Sequence, residues 1–317
     1  MSNATKTLLA LFAVLLVITG IVKLTGNGSS SKGLRSAIIK VDSAKVNKID
    51  IQTLKHGPVT LYKKKKTWYV EGKDTPAYKA QTNLIAGILG HFTDLMPNAV
   101  VTRDKSKFRR YQVDTTGTMV DFYNGNKKLG GIILGRFQME GRRDMNSYVR
   151  PENKQVVYSV KGMLSSHFNQ PIDNWRNKQV WKLKDKNVKQ INLVYPADSS
   201  FSITPSGKNL YLYGSDSLKT DVASMIIRDA CNLQADSFKH NIKPDNFGKP
   251  LYKVQIKMNN GVTNTLKVKP DTSNKQNYIV AASNYPYVFT KDKYTMDNQI
   301  LRSKNSVLKK KKKKGKK

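Results

Sequence analysis

The side chains that most often carry out chemistry are few in this chain and far apart. Its four histidines, His56, His91, His167 and His240, show neither the H-x-x-x-H nor the H-E-x-x-H spacing that sets two imidazoles on one helical face to hold a metal. Cys231 is the one cysteine, so a disulfide scaffold and a cysteine-based structural zinc site are both excluded. A nucleophilic serine would sit in G-x-S-x-G, and a nucleotide phosphate would need a P-loop or a G-x-G-x-x-G opening a helix. None of these occurs. The glycines of Leu129-Gly130-Gly131-Ile132-Ile133-Leu134-Gly135 lie in a predicted strand pair, where glycine marks a bulge or a tight bend rather than a phosphate cradle. Carboxylates total 22, and Asp74, Asp114, Asp216 and Asp245 fall at predicted turns or caps. No spacing therefore sets a general acid and a general base against one substrate. His91, next to Phe92 on a predicted helix, reads as a partly exposed packing residue. Only a convergence of His, Asp and Ser around His91 or His167 in the fold would make a hydrolase site. The expectation is a non-enzymatic protein with no catalytic residues, no metal and no cofactor.

Charge is the outlier in composition. The 317 residues include 56 Lys+Arg against 22 Asp+Glu, a formal net charge of +34, which predicts attraction to anionic surfaces but says nothing of the fold. Apolar residues make up 38% of the chain, enough for ordinary cores, so general disorder is not expected. Lys63, Lys64, Lys65 and Lys66 form a run at a predicted hairpin turn and read as a solvated loop. Lys309, Lys310, Lys311, Lys312, Lys313, Lys314, Lys316 and Lys317 close the chain, and residues 303–317 are expected to be a disordered tail. Near an anionic leaflet a lysine is worth about 1 kcal/mol, so this tail could lie on anionic lipid or an envelope polymer. A bias of composition towards Lys and Asn is the alternative account of the body charge. No stacking platform or groove-reading helix accompanies the charge, so nucleic acid is not the expected partner.

Between Lys6 and Lys23 every residue is uncharged. After an N-terminal tail at 1–6, the segment 7–23 reads as a membrane anchor built on Thr7, Leu8, Leu9, Leu11, Phe12, Val14, Leu15, Leu16, Val17, Ile18, Ile21 and Val22. A straight span needs about 20 residues, and the stems of Lys6 and Lys23 can snorkel to extend this one at both ends. A cleaved signal peptide is the competing reading, although no A-x-A site follows. No cysteine follows either, which excludes a lipoprotein anchor. Residues 24–33, rich in Gly and Ser, read as a flexible linker. Flanking charge counted alone would place the body in the cytoplasm, but long domains translocate largely regardless of charge. The reading is a single-pass protein of the bacterial inner membrane with an extracytoplasmic body.

The rest of the chain repeats itself. Residues 38–70 align without a gap onto 180–212, pairing Ile39 with Trp181, Ile49 with Ile191, Ile51 with Leu193, Val59 with Phe201, Leu61 with Ile203 and Val70 with Leu212. After a short deletion, Leu84, Ile85, Ile88, Leu89, Phe92 and Leu95 fall on Val222, Ala223, Ile226, Ile227, Ala230 and Leu233, one apolar helical stripe in both copies. Gly125 then meets Gly261, Tyr148 meets Tyr278, and Tyr158 meets Phe289. Each copy predicts a strand, a hairpin, a helix and four short strands, with the helices starting near Asp74-Thr75-Pro76 and Ser215-Asp216-Ser217. The predicted fold class is α+β. It is a tandem duplication of an antiparallel sheet-plus-helix domain, over 34–170 and 171–302, preceded by one transmembrane helix.

In order, the chain carries a V-x-x-I-x-I strand, a hairpin ending Trp68-Tyr69-Val70, Pro76-Ala77 ahead of a helix, Leu134-Gly135, Tyr148-Val149, Val157-Tyr158-Ser159-Val160, and Trp175-Arg176-Asn177-Lys178. This pattern resembles bacterial membrane-anchored proteins that carry domain of unknown function 4340. Tyr78 stands where that family tends to carry an acidic residue. The resemblance implies a single-span protein with a repeated extracytoplasmic body, associated with ABC-type export systems, and it transfers no catalytic residue. Expected partners are therefore the membrane, an ABC-type permease or ATPase, and anionic lipid or envelope polymer. The candidate partner surface is Arg136, Phe137, Met139, Arg142 and Arg143, which joins aromatic, Met and Arg side chains of the kind enriched at interfaces. A hairpin loop without a partner is the alternative for that stretch.

Overall fold

The structure, a computed structural model, describes residues 5, 12–17, 36–73, 75–140, 144–207 and 209–309. The chain divides into two compact units, Met1–Arg176 and Asn177–Lys317. The first holds β1 (Lys48–Thr53), β2 (Gly57–Lys64), β3 (Thr67–Gly72), β4 (Thr75–Lys79), helix α1 (Thr82–Phe92), β5 (Ala99–Thr102), β6 (Thr118–Asn124), β7 (Lys127–Glu140), β8 (Asp144–Pro151), β9 (Val157–Lys161) and the short helix α2 (Leu164–Phe168). Its nine strands form one sheet in the order β4-β3-β2-β1-β6-β7-β8-β9-β5, antiparallel throughout.

The second unit opens with β10 (Gln179–Lys182), then β11 (Val188–Val194), β12 (Phe201–Pro205), β13 (Tyr211–Tyr213), β14 (Asp216–Ser217) and helix α3 (Thr220–Cys231). It continues with β15 (Asn232–Gln234), β16 (Ser237–Phe238), β17 (Tyr252–Met258), β18 (Thr263–Pro270), β19 (Asn277–Ala282), β20 (Phe289–Asp292), α4 (Lys293–Gln299) and α5 (Lys304–Val307). The sheet order, β14-β13-β12-β11-β17-β18-β19-β20-β16, repeats the first strand for strand. The additional β10–β15 pair matches the isolated Ile39–Leu95 bridge of the first unit, since Trp181 faces Leu233.

Alternation creates the two faces of each sheet. In β1, Ile49 and Ile51 are buried while Lys48 and Asp50 are only half-buried, so every second residue points to an inner, apolar face. Ile85, Ile88, Leu89 and Phe92 of α1 are buried, as are Ala223, Ile226, Ile227 and Ala230 of α3, which is the same stripe in each copy. Phe92 meets Phe122 of β6 at 5.0 Å between ring centroids. Each fully buried Ile, Leu or Phe in such a stripe stabilises the fold by about 1.5–3 kcal/mol relative to exposure.

Several sequence expectations change. The segments read as helix starts at Thr75-Pro76 and Asp216-Ser217 are instead β4 and β14, the edge strands of their sheets. Proline is tolerated there because an edge strand has one side that donates to no neighbour. The helices begin a few residues later, at Thr82 and Thr220. The second hairpin is also one residue longer. Leu61 pairs with Val70 and Tyr62 with Tyr69, whereas Thr204 pairs with Leu212, so Val70 corresponds to Tyr213 and not to Leu212. The turn to β13 runs through Gly207 and Asn209, both at positive φ, where the first copy turns at Lys65. Tyr148 faces Ser159 and Ile279 faces Thr290, which makes Ile279, not Tyr278, the counterpart of Tyr148.

The boundaries shift as well. The first unit runs on to Arg176 because Trp175 and Arg176 are fully buried within it, and Arg176 bridges Ala80. Residues 303–309 are not part of a loose tail. Val307 is buried, Leu308 pairs with Leu218, and Lys219 donates to the Ser306 carbonyl. Lys310, Lys311, Lys312, Lys313, Lys314, Lys316 and Lys317 lie outside the described residues. In the segment read as an anchor, residues 12–17 are helical, with Phe12, Val14, Leu15, Leu16 and Val17 exposed. Thr7, Leu8, Leu9, Leu11, Ile18, Ile21 and Val22 lie outside the described residues. Among the described residues no helix is long and apolar enough to cross a membrane.

Candidate functional site

Residues 134–140 extend the sheet. β7 is 14 residues long, and the β7–β8 pairing shifts register between Leu134 and Phe137 before resuming as Phe137–Ser147, Gln138–Asn146 and Met139–Met145. Gly135 permits that bulge, because a Cβ there would run into the carbonyl oxygen of Tyr111 and the side chain of Val113. Beyond the bulge the ribbon is anchored by aromatic packing. The Tyr148 ring lies 4.6 Å from Tyr111, its hydroxyl donates to Gln138 Oε1 at 2.5 Å, and the Arg136 guanidinium sits 5.8 Å above it. Phe137 and Met139, 46% and 55% exposed, present a small apolar surface beside Arg136. The structure thus brings Arg136, Phe137 and Met139 onto one ribbon, while Arg142 and Arg143 lie outside the described residues.

Two histidines come together that the sequence left apart. His91, in the last turn of α1, stacks on His167 of α2 with 5.9 Å between ring centroids and 19° between planes. Both are exposed. Among the described residues no group of three His, Cys, Asp or Glu could hold a metal ion. The pair escaped the sequence reading because α1 and α2 are joined only through five intervening strands. Cys231 is equally unsuited to covalent chemistry, as burial at the end of α3 pushes its thiol up to about 12.

The outer face of each sheet is covered by the chain between the fifth strand and the sixth. In the first unit Phe108 and Val113 pack there on Ile133, Tyr148 and Val157. In the second, Phe247 packs on Ile279, Ala281 and Val288. The matching registers, Ile133–Arg150 and Lys267–Ala281, make Ala281 the counterpart of Arg150. Arg150 fills its site. Its guanidinium lies 4.9 Å from the Phe108 ring, Nε donates to the Val113 carbonyl at 2.8 Å, and Nη1 donates to the Glu152 carbonyl at 3.2 Å.

Ala281 carries no such side chain and is itself buried against Phe247. Beside it lies a cleft of about 730 Å³ lined by residues including Lys243, Pro244, Asp245, Thr265, Lys267, Ala281, Ser283, Asn284 and Tyr285. Nothing in the sequence marked it, although the register of the repeat, had it been carried to Arg150 and Ala281, would have exposed the large-to-small exchange.

Domain of unknown function DUF4340 matches residues 68–248, from the first hairpin through the rest of the first unit into the cover segment of the second. No curated protein and no solved structure matches the chain. The match spans more than half of the chain, so this protein is a member of the DUF4340 family.

Proposed function

We propose that the chain is a non-enzymatic, membrane-tethered accessory or scaffold protein of an envelope or ABC-type transport complex. In this reading it is a tandem duplicate, and a single N-terminal span within 7–23 holds an extracytoplasmic body at the bacterial inner membrane. A tether raises the effective concentration of a membrane partner, so even a modest contact suffices. The observation that carries the reading is the β7–β8 ribbon, which holds Phe137 and Met139 exposed beside Arg136 on a well-anchored support. The test is crosslinked purification from solubilised membranes at low and high salt. An ABC-type permease or ATPase that survives high salt with the wild type, and is lost with Phe137→Ser/Met139→Ser, is the expected result. Recovery unchanged by the double substitution would overturn the role of the ribbon.

The charge of +34 favours a second reading, a protein that binds anionic lipid or an envelope polymer through its basic body and lysine tail. Co-sedimentation with phosphatidylglycerol vesicles should then fall steeply with salt, and fall further when 310–317 are removed.

A further inference from the structure

The cleft of the second unit differs from its counterpart in size and in charge. In the first unit Arg150 lies over Phe108 and Glu152 beside it is held by Lys128, and the cleft there, lined by Gly131, Pro151 and Glu152, is the smaller at about 430 Å³. In the second unit Arg150 becomes Ala281 and Glu152 becomes Ser283, as the bonds from Glu152 N to the Gly131 carbonyl and from Ser283 N to the Thr265 carbonyl fix. Both changes remove bulk and charge, while Lys243 and Lys267 stand at the walls against Asp245 alone. Neither lysine is held in a salt bridge, unlike Lys239, Lys291 and Lys293 of the same unit, which pair with Asp271, Asp236 and Asp297.

We propose that this cleft binds a small organic anion, its charged group between Lys243 and Lys267 and its apolar part against Ala281, Pro244 and Tyr285. The volume lies within the range of about 300–1,000 Å³ found for small-molecule sites. Lysine ammonium groups suit a compact phosphate or carboxylate as point charges, and the hydroxyls of Thr265 and Ser283 line the same wall. A cationic ligand is opposed by the two lysines. This inference stands apart from the accessory reading, which concerns the other unit and a protein partner.

The test uses the full chain in detergent and the fluorescent probe 1-naphthyl phosphate, with neutral 1-naphthol as control. One molecule of naphthyl phosphate per chain is expected, at least tenfold tighter than naphthol. Lys243→Gln/Lys267→Gln, both at exposed positions, should weaken it at least tenfold. Ser283→Glu, which restores the acid of the first unit at a half-buried position on the cleft wall, should weaken binding at least tenfold as well. Dextran sulfate, too large to enter, should bind the wild type and the double lysine variant alike. Equal affinity of the double lysine variant and the wild type for naphthyl phosphate would overturn the proposal. So would a parallel loss of dextran sulfate, which would make the lysines ordinary members of a basic surface.

Discussion

The two units share an inner face and differ on the outer one. Inside, counterparts are interchangeable in kind: Ile49 and Ile191, Leu61 and Ile203, and Val120 and Val254 are buried on the sheets, as are Ile88 and Ile226 on the helix stripes. Outside, each unit places a cation on the phenylalanine of its cover segment, but takes it from a different strand. Arg150 of β8 lies over Phe108, whereas Lys269 of β18 lies 4.9 Å over Phe247 and donates to its carbonyl. Along the strand Lys269 matches Gly135, so the first unit has surrendered that side chain to obtain the bulge and the long ribbon. The second unit keeps its side chain and ends the hairpin early, where buried Asp271 is held by Lys239 at 2.8 Å. A conserved inner core with an exchanged outer cover lets one architecture carry two different surfaces, a projecting ribbon and an open cleft.

The largest effect should come from the position that separates the two hairpins. Gly135→Ala forces a methyl into the Tyr111 carbonyl and the Val113 side chain, and the first unit should lose about 3 kcal/mol. Urea unfolding in a Trp181→Phe background, where the remaining Trp68 and Trp175 are both buried in the first unit, measures it. Cys231, buried in the second unit, supplies an internal control, since its labelling by a thiol reagent should be unchanged. Arg150→Ala comes next. It removes a cation from an aromatic face and leaves the Val113 and Glu152 carbonyls without that donor, a cost of about 2 kcal/mol, again confined to the tryptophan-reported unit. If either substitution moved Cys231 labelling as much as tryptophan emission, the two covers would not be independent devices.

Why the inner face was legible and the outer one was not follows from how each is encoded. Burial on one side of a strand or helix imposes a period, and the periods of Ile49-Ile51 and Ile85-Ile88-Leu89-Phe92 reappear at Ile191-Leu193 and Ala223-Ile226-Ile227-Ala230. The outer cover rests on single long-range contacts between residues dozens of positions apart, such as Arg150 with Phe108, and these leave no period. Proline misled because Pro76 suits both a helix first turn and an edge strand, and only the pairing of β4 with β3 decides between them. The site fared likewise. Phe137 and Met139 were readable as residue types, but the bulge that holds them out needs the backbone of Tyr111, and the cleft needs the register of two strands.

Asp271 tests how the second hairpin is closed. Burial alone would raise its carboxyl, but hydrogen bonds from Lys239 and Ser273 outweigh it and hold the group below its ordinary value. A carboxyl lowered in the folded state contributes stability that is fully present above its unfolded value, about 3.9, and is lost as pH falls through the lower folded one. Asp271→Asn should therefore cost about 2 kcal/mol at pH 7, read by urea unfolding with Cys231 labelling. The gap between variant and wild type should close below about pH 4. A gap that stayed constant down to pH 2 would mean that the turn holds by shape and that the ion pair is incidental.

The smallest effect on stability is expected on the ribbon itself, and its smallness is informative. Phe137→Ser/Met139→Ser replaces side chains that are about half exposed, and surface changes of this kind stay within about 0.5 kcal/mol. The tryptophan-reported urea midpoint should thus be that of the wild type within error. If the midpoint fell by as much as it does for Arg150→Ala, these side chains would be core of the first unit, and the long ribbon would be the price of packing Tyr148 on Tyr111. With an unchanged midpoint, the two exposed apolar side chains contribute nothing to the fold that holds them. They are then available for the contact proposed above without loss to the fold, which is what separates this ribbon from the closed hairpin of the second unit.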